Sequence, residues 1–273
     1  MRPQQIFMLA TALALATPPL VLAQQFEGII KQRSITISMG VLEELEFDLS
    51  DAMFDVPVER LLALQDELGP EDMTVTDEEI YIKGSLVRAD ASDMEGEGYV
   101  IVDMDQGVWR MVQPDKQMYI EMTAADLERM RGMMAGMGPE DEGEGEKPEA
   151  RDTGLTKTIN GMACKAYDVE TEEGTTRVWV SQDDGDLVSS FARFSDKIRQ
   201  MTFMGDDELD PSMIVAQHGF PVLVQTLPHD TYSMYQVEVV VSVERRPVPD
   251  EMFAIPAGLQ KRTMAEMMQG PGR

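Results

Sequence analysis

The chain has 273 residues and a formal net charge of −27, because 50 acidic residues outnumber 23 basic ones. Such a surface repels nucleic acid and anionic lipid headgroups, so we exclude a nucleic-acid partner. Hydrophobic residues make up 43% and charged residues 27%, which is typical of a globular protein and not of a disordered one. The only cysteine, Cys164, excludes an internal disulfide, and we expect it to be a small buried residue in a strand.

Residues 1–23 have the three-part pattern of a cleavable signal peptide. Arg2 precedes an apolar run from Ile6 to Ala16, and the residues before Gln24 are compact enough for a cleavage site. The apolar run is too short for a membrane span. We therefore predict a periplasmic or secreted protein with no integral membrane span after cleavage, whose mature part, 24–273, is a single domain.

Turn residues divide the first half of the mature chain into segments of alternating apolar residues, which predict strands in an antiparallel meander. Leucines at i, i+3 and i+7 predict one helix over 58–68, which ends before Gly69 and Pro70. The predicted strands cover 26–38, 74–91, 99–103, 108–112 and 117–122.

The apolar period changes at Thr123, and residues 123–137 predict an amphipathic helix. Thr123 and Asp126 have the spacing of a capping box. The apolar face of this helix consists of Leu127, Met130, Met134 and Met137. The acidic, glycine-containing sequence that follows predicts a flexible loop over 138–153.

The second half repeats this pattern of strands and contains the clearest helix. Its apolar residues recur at spacings of three and four from Leu187 to Met201, with Asp186 as the predicted N-cap and Gly205 as the predicted end. A short helical turn is expected around Ile214. The predicted strands cover 156–170, 175–181, 220–227 and 231–245. Strand and helix do not alternate, so we predict an α+β fold with a dominant antiparallel sheet.

No segment of the sequence has a catalytic or cofactor-binding pattern. Gly96 and Gly98 lack the third glycine of a dinucleotide-binding fingerprint, and His218 and His229 stand in ordinary turn contexts. The aspartates at 183–186 and 206–210 can attract Ca²⁺, but capping and solvated charge explain them better. We predict a protein that is not an enzyme, with no catalytic residue, no cofactor and no assigned metal ligand.

Methionine is unusually frequent, with 23 residues in the chain. The methionines are dense over 130–137 and again over 264–268. Thioethers at helical spacing can bind Cu(I), which makes a copper-binding protein one alternative. The same spacing also forms an adaptable apolar surface, and we favour that interpretation.

Two stretches resemble known families. The segments IYIKGSLVRAD, GYVIVDMDQGVW and PDKQMYIEM, which contain Gly107, Trp109 and Lys116, resemble the periplasmic lipoprotein carriers and outer-membrane lipoprotein receptors of the Lol type. The segments TGLTKTINGMACKAYDV, RVWVSQD and PVPDEMFAIPAG are similar to an exported bacterial family of unknown function with the same fold. The resemblance implies a curved antiparallel sheet, an incomplete barrel, whose concave face is covered by helices and can hold acyl chains.

These inferences combine into one functional hypothesis, a non-enzymatic periplasmic binding protein for an apolar or acyl-bearing ligand such as a lipid or lipoprotein. The predicted cavity lies between the sheet and the helices 123–137 and 187–204. We expect the cavity to be lined by Ile80, Ile82, Trp109, Met111, Met130, Met134, Phe191 and Phe194. The alternatives are the methionine-rich copper-binding protein and an acidic envelope protein that acts as an interaction partner or scaffold.

Overall fold

The computed structural model describes residues 25–91, 98–123, 125, 126, 129, 148–201 and 210–263. Within these ranges, twelve strands form one sheet. The strands are β1 (Glu27–Ser38), β2 (Met73–Lys83), β3 (Leu86–Ala91), β4 (Gly98–Asp103), β5 (Val108–Gln113), β6 (Met118–Thr123), β7 (Ala150–Ile159), β8 (Met162–Glu170), β9 (Gly174–Ser181), β10 (Phe220–Pro228), β11 (Met234–Arg245) and β12 (Gln260–Arg262).

The first strand, β1, lies inside the sheet between two antiparallel meanders. One meander runs from β2 to β6 and the other from β7 to β11, and β1 pairs with β2 on one side and β11 on the other. The short β12 adds to the first meander by pairing parallel to β6. The two edge strands, β7 and β12, do not pair with each other in the described part of the chain. The predicted antiparallel, unclosed sheet is therefore confirmed.

The part of the sheet from β8 to β11 is strongly curved. The side-chain amide of Asn160, in the turn after β7, donates a hydrogen bond to the carbonyl oxygen of Val240 in β11 over 2.6 Å. In a flat sheet, β8 and β11 would lie three strand spacings apart, about 14 Å. The hydrogen bond therefore requires the sheet to curve, so that the turn after β7 approaches β11.

Both halves of β1 contribute side chains to the same core, although the first half does so from an even-numbered position and the second half from odd-numbered ones. Ile30 in the first half and Ile35 and Ile37 in the second half belong to one buried cluster, which we call the main core. Successive side chains of a flat strand point to opposite faces. Opposite Lys31 and Gln32, β11 contains one extra residue, a bulge that increases the local twist where the buried positions of β1 change from even to odd.

Three short helical segments close one end of the main core: α1 (Met39–Glu44), the 3₁₀-helix Asp51–Asp55 and α2 (Val58–Leu62). The helix predicted over 58–68 starts correctly but ends at Leu62. Beyond that residue the backbone forms tighter turns, since the amide of Leu64 bonds to the carbonyl of Leu61. Leu64 and Leu68 still pack against the main core, so the leucine spacing reflects burial without a continuous helix.

The long helix of the second half is α3 (Gly185–Met201), as the spacing of its apolar residues predicts. Its cap is Asp184 and not Asp186, because the Asp184 carboxylate accepts the amide of Leu187 over 3.1 Å. The predicted end, Gly205, lies outside the described residues. The helical turn expected around Ile214 is α4 (Pro211–Ile214), capped by the Asp210 carboxylate.

Two predicted strands are hairpins instead. The segment 74–91 turns at Gly84, which has φ 62°, and the segment 156–170 turns at Asn160 and Gly161, with φ 47° and 84°. Glycine and asparagine adopt this left-handed conformation more readily than other residues, and it reverses the chain in two residues. The strand β7 also begins at Ala150, so the end of segment 138–153 is part of the sheet.

The capping box at the start of the predicted helix 123–137 is present. The Thr123 hydroxyl accepts the amide of Asp126 over 3.2 Å, and the Asp126 carboxylate accepts the amide of Thr123 over 3.1 Å. The Thr123 hydroxyl also donates to the Asp126 carboxylate over 2.7 Å, and this bond, with the one from the Thr123 amide, holds the pKa of Asp126 below its usual value. Most of the remaining predicted segment, including Met130 and Met134, lies outside the described residues, as does 138–147.

Candidate functional site

A cavity of about 160 Å³ lies between α3 and the sheet, and we call it the α3 cavity. Leu187, Phe191 and Phe194 line it from the helix, and apolar side chains of β1, β2, β3, β10 and β11 line it from below. An apolar cavity of about 150 Å³ in another protein stays dry and binds benzene or xenon. The α3 cavity is therefore large enough for one ring or a short stretch of an alkyl chain.

The register of the central strands places the apolar walls of the cavity. Ile80 of β2 lies opposite Ile30 of β1 on one side and Ala89 of β3 on the other. Residues directly opposite in antiparallel strands have neighbouring side chains on one face. Because Ala89 carries only a methyl group, this row leaves space beneath the helix that a larger residue would fill.

The aromatic residues of α3 form the roof of the cavity. Phe191 and Phe194 follow Leu187 at helical spacing, so all three point from one face of α3. Phe191 packs edge-to-face against Phe220, with ring centroids 5.5 Å apart and an interplanar angle of 89°. This geometry is favourable for aromatic pairs and fixes the roof over β10.

A few polar groups also line the cavity. The side-chain amide nitrogen of the half-buried Gln32 donates to the carboxylate of Glu78 over 2.9 Å. The Ser190 hydroxyl accepts the amide of Phe26 over 3.4 Å. Glu238 is exposed and contributes the one charged side chain among the described lining residues, where no lysine, arginine or histidine occurs.

Four of the residues predicted for the cavity line it: Ile80, Ile82, Phe191 and Phe194. Trp109 and Met111 share one face of β5, as expected, but neither lines the α3 cavity. Trp109 packs against the main core, and its indole nitrogen is buried without a hydrogen-bond partner. Met130 and Met134 lie outside the described residues.

Sequence reasoning missed the contributions of β1, β10 and β11 to the cavity. Ile30, Val222 and Val239 line it alongside the predicted residues. Their alternation predicted burial in a strand, but the pairing of β1 with β11 joins opposite ends of the chain. No local pattern carries that information.

A second group of buried polar side chains lies near the 3₁₀-helix Asp51–Asp55, and we call it the buried polar cluster. Its polar members are Asp168, Arg177, Gln225 and Tyr235, and the ring of Phe54 packs on Arg177. Arg177 donates two hydrogen bonds to Asp168, over 2.7 and 3.0 Å, and its guanidinium lies 4.4 Å from the centre of the Phe54 ring. The Asp168 carboxylate raises the pKa of Arg177.

The same cluster fixes the backbone of the 3₁₀-helix. The Gln225 amide nitrogen donates to the carbonyl of Phe54, and the Tyr235 hydroxyl donates to the carbonyl of Met53, each over 3.3 Å. Burial raises the pKa of Tyr235 to about 12, so the phenol is neutral at physiological pH. These hydrogen bonds connect the side chains of the cluster to the backbone of the 3₁₀-helix, which is a structural role.

Cys164 is a buried thiol in β8, which confirms the sequence-based expectation. Burial raises its pKa to about 11, and a neutral thiol is a poor nucleophile and a poor metal ligand. Lys157, opposite Cys164 in β7, places its ammonium 3.9 Å from the centre of the Trp179 ring. Burial lowers the pKa of this lysine.

The described ranges hold neither a metal-ligating cluster nor a helix that could span a membrane. They contain no group of three or more His, Cys, Asp or Glu side chains that could hold a metal ion. The methionine-rich segments 130–137 and 264–268, on which the copper-binding alternative rests, lie outside these ranges. None of the described helices is long and apolar enough to cross a membrane.

Several solved structures are similar to this chain at low identity. An uncharacterized conserved protein from Thermus thermophilus has 5% identity and a TM-score of 0.39, with 85% of this chain and 90% of that chain covered. PNGF-II has 8% identity and a TM-score of 0.41, with 89% of this chain but only 32% of that chain covered. A LolA superfamily protein from Nitrosomonas europaea has 7% identity and a TM-score of 0.31, with 84% and 90% covered.

A search of curated proteins gives no significant match. A family described as a domain of unknown function, DUF4412, matches residues 68–259. This match spans β2 to β11 and includes α3, and it confirms the expected relation to a family of unknown function. The chain therefore belongs to the DUF4412 family.

Proposed function

We propose that this protein is a non-enzymatic, exported binding protein for an apolar or acyl-bearing ligand, which it holds in the α3 cavity. The observation that carries the proposal is the apolar space between α3 and the central strands. In this proposal, the sheet face beneath α3 is the concave face of an incomplete barrel, as the Lol-type resemblance implies. The ligand is a lipid, or the acyl chain of a lipoprotein.

Burial of the ligand supplies the binding free energy. Each methylene group transferred from water into the cavity contributes ~0.8 kcal/mol. The wall residues are aliphatic or aromatic, so they impose little orientation on an alkyl chain. A cavity of about 160 Å³ accepts the end of a chain, and the remainder of a longer ligand lies outside the described cavity.

Filling the cavity from its wall tests the proposal. Ala89→Phe places a ring beneath α3, whereas Ala254→Phe adds the same ring at an exposed position after the 3₁₀-helix Asp250–Phe253. We expect the parent and Ala254→Phe to bind the neutral fluorescent probe N-phenyl-1-naphthylamine saturably. Ala89→Phe should weaken that binding at least ~10-fold, equivalent to ~1.4 kcal/mol.

The folded state of each variant is checked by circular dichroism and urea unfolding. If Ala89→Phe unfolds, the smaller Ala89→Leu replaces it in the same comparison. Absence of saturable probe binding by the parent would overturn the proposal. Equal probe affinity in the parent and a folded Ala89 variant would show that the probe binds elsewhere, which also overturns it.

Export is a separate part of the proposal and rests on residues 1–23. N-terminal sequencing of the protein recovered from the periplasm or medium of a bacterial host should begin at Gln24. An uncleaved protein retained in the cytoplasm would contradict export and leave the α3 cavity to be explained in another compartment.

A further inference from the structure

The polar groups that line the α3 cavity are neutral or acidic: Gln32, Ser190, Ser212 and Glu238. Because a carboxylate can only accept, the Gln32 side chain must turn its amide nitrogen toward Glu78. This bond uses one of the two hydrogens on that nitrogen, so Gln32 keeps its carbonyl oxygen and one N–H for a ligand. Ser190 already uses its hydroxyl oxygen to accept from the amide of Phe26, and the one charged lining residue in the described ranges, Glu238, is an acid.

The strand register brings the carbonyl oxygen of Gln32 and the carboxylate of Glu238 to one side of the cavity. Gln32 of β1 lies opposite Glu78 of β2, and Ser34, two residues further along β1, lies opposite Glu238 of β11. Glu238 is thus a diagonal neighbour of Gln32, at a distance of roughly 7–8 Å. A carboxylate has about four acceptor sites, so Glu238 can accept from a ligand as well as from a protein donor.

An anionic headgroup is poorly matched to this arrangement. The described lining residues provide no cation to pair with a carboxylate or phosphate. An anion placed beside Glu238 would lose hydration and meet a like charge. An ammonium has three donors and no acceptor, which complements carbonyl and carboxylate oxygens.

We propose that the α3 cavity prefers an amphiphile with a cationic or hydrogen-bond-donating head, of the primary alkylamine class, over a fatty acid with the same chain. This inference rests on the proposed function and adds the chemistry of the headgroup. The apolar tail occupies the space beneath Phe191 and Phe194. The head lies at the side formed by Gln32 and Glu238.

The test compares three ligands of equal chain length in displacement of N-phenyl-1-naphthylamine from the full mature chain. The ligands are dodecylamine, dodecanol and dodecanoate, each kept below its micelle concentration. The buffer contains salt at about 0.15 M, which screens the overall negative charge of the protein beyond about 8 Å. We expect dodecylamine to displace the probe best, dodecanol next and dodecanoate least. The apparent affinity of dodecylamine should be about 10-fold higher than that of dodecanoate.

Two variants, each of which neutralises one glutamate, test whether the preference for the amine arises in the cavity. Glu238→Gln removes the acid of the cavity, and Glu172→Gln removes an exposed acid from the turn between β8 and β9. We expect Glu238→Gln to lower the ratio of dodecylamine affinity to dodecanoate affinity about threefold, which corresponds to the free energy of an exposed ion pair. Glu172→Gln should leave this ratio unchanged. Probe binding itself should persist in both variants, because the apolar walls are intact.

The outcomes separate this inference from the proposed function. If dodecanoate binds as tightly as dodecylamine, the headgroup inference fails while the binding function stands. If both glutamate variants reduce the preference equally, it reflects overall charge, and the inference also fails. If none of the three ligands displaces a probe that binds saturably, the α3 cavity does not bind alkyl amphiphiles, and the proposed function fails.

Discussion

The α3 cavity and the buried polar cluster border the same main core but differ in how their space is used. In the cluster, Asp168 and Arg177 are 6% and 8% exposed and pair with each other, and an aromatic ring packs on the guanidinium. In the cavity, aliphatic and aromatic walls surround unfilled space. A site whose buried charges are paired stabilises the fold, whereas apolar space beneath a helix is available to a ligand. We therefore expect substitutions in the two regions to affect different measurements.

The largest effect on stability should come from breaking the buried ion pair. Asp168→Ala leaves Arg177 buried without its bidentate partner, and loss of one partner of a buried pair costs roughly 3–5 kcal/mol. Urea unfolding should show this decrease in the free energy of unfolding. Binding of N-phenyl-1-naphthylamine by the remaining folded protein should be unchanged, because neither residue lines the cavity.

The double variant Asp168→Ala/Arg177→Met is the control for the ion pair. It removes the uncompensated charge and keeps an unbranched side chain near Phe54, so much of the lost stability should return. Equal destabilisation in the single and double variants would show that the lost charge balance is not the cause.

A smaller effect is expected from the hydroxyl of Tyr235. Tyr235→Phe removes the donor to the carbonyl of Met53 and the acceptor for the amide of Gln225. Leaving buried polar groups unsatisfied costs about 1–3 kcal/mol, which urea unfolding can measure. Tyr232→Phe, at a residue that is 97% exposed, should change stability by less than about 0.5 kcal/mol. A similar loss in both variants would contradict the role of the buried hydroxyl.

Local sequence patterns predicted much of the sheet and the helical roof of the cavity. The apolar run from Tyr99 to Val102 belongs to a strand that is buried on both faces, since its even and odd positions enter two different core clusters. The helical spacing from Leu187 to Phe194 reflects one buried face. The hairpin turns at Gly84 and Asn160 were missed because the apolar alternation continues on both sides of each turn.

Long-range pairing limited what the sequence could predict about both regions. Ile30 reaches the cavity wall because β1 pairs with β2 and β11 at once, and neither pairing has a local signal. Arg177 and Asp168 are opposite residues in the β8–β9 hairpin, but their burial depends on Phe54 from the other half of the chain. The arginine of the Lol-like stretch, Arg88, likewise has a structural role, because it donates to the carbonyl of Met252 and lies on the Tyr99 ring.

A third and still smaller contribution to stability comes from an ion-paired carboxylate at the edge of the sheet near β12, and it depends on pH. Lys261 and Arg110 both donate to the carboxylate of Glu121, over 2.6 and 2.8 Å, and Lys261 is the larger cause of the lowered pKa of Glu121. A carboxyl with a lowered pKa in the folded state stabilises the fold above its ordinary pKa of 4.5, and this stabilisation is lost as the pH falls through the folded-state value.

Glu121→Gln tests this contribution. At pH 7 the variant should be less stable by about 1 kcal/mol, and the difference from the parent should disappear as the pH falls below the folded-state pKa. Urea unfolding at a series of pH values measures both. A difference that stays constant down to acidic pH would show that packing and not charge is the cause. Glu172→Gln, in an exposed turn, is the matched control.

The smallest change in the free energy of unfolding should come from a larger side chain in the cavity wall. This substitution tests most directly whether the space beneath α3 is unfilled. Ala89 lines the α3 cavity, whereas Ala166 is fully buried in the main core opposite Trp179. Ala166→Leu should cost about 1–3 kcal/mol, because a packed core must shift to accept the added carbons. Ala89→Leu should change the free energy of unfolding by less than about 0.5 kcal/mol, since the new side chain enters existing space. Only Ala89→Leu should reduce probe affinity, and equal costs in urea unfolding would mean that the space beneath α3 is as tightly packed as the core.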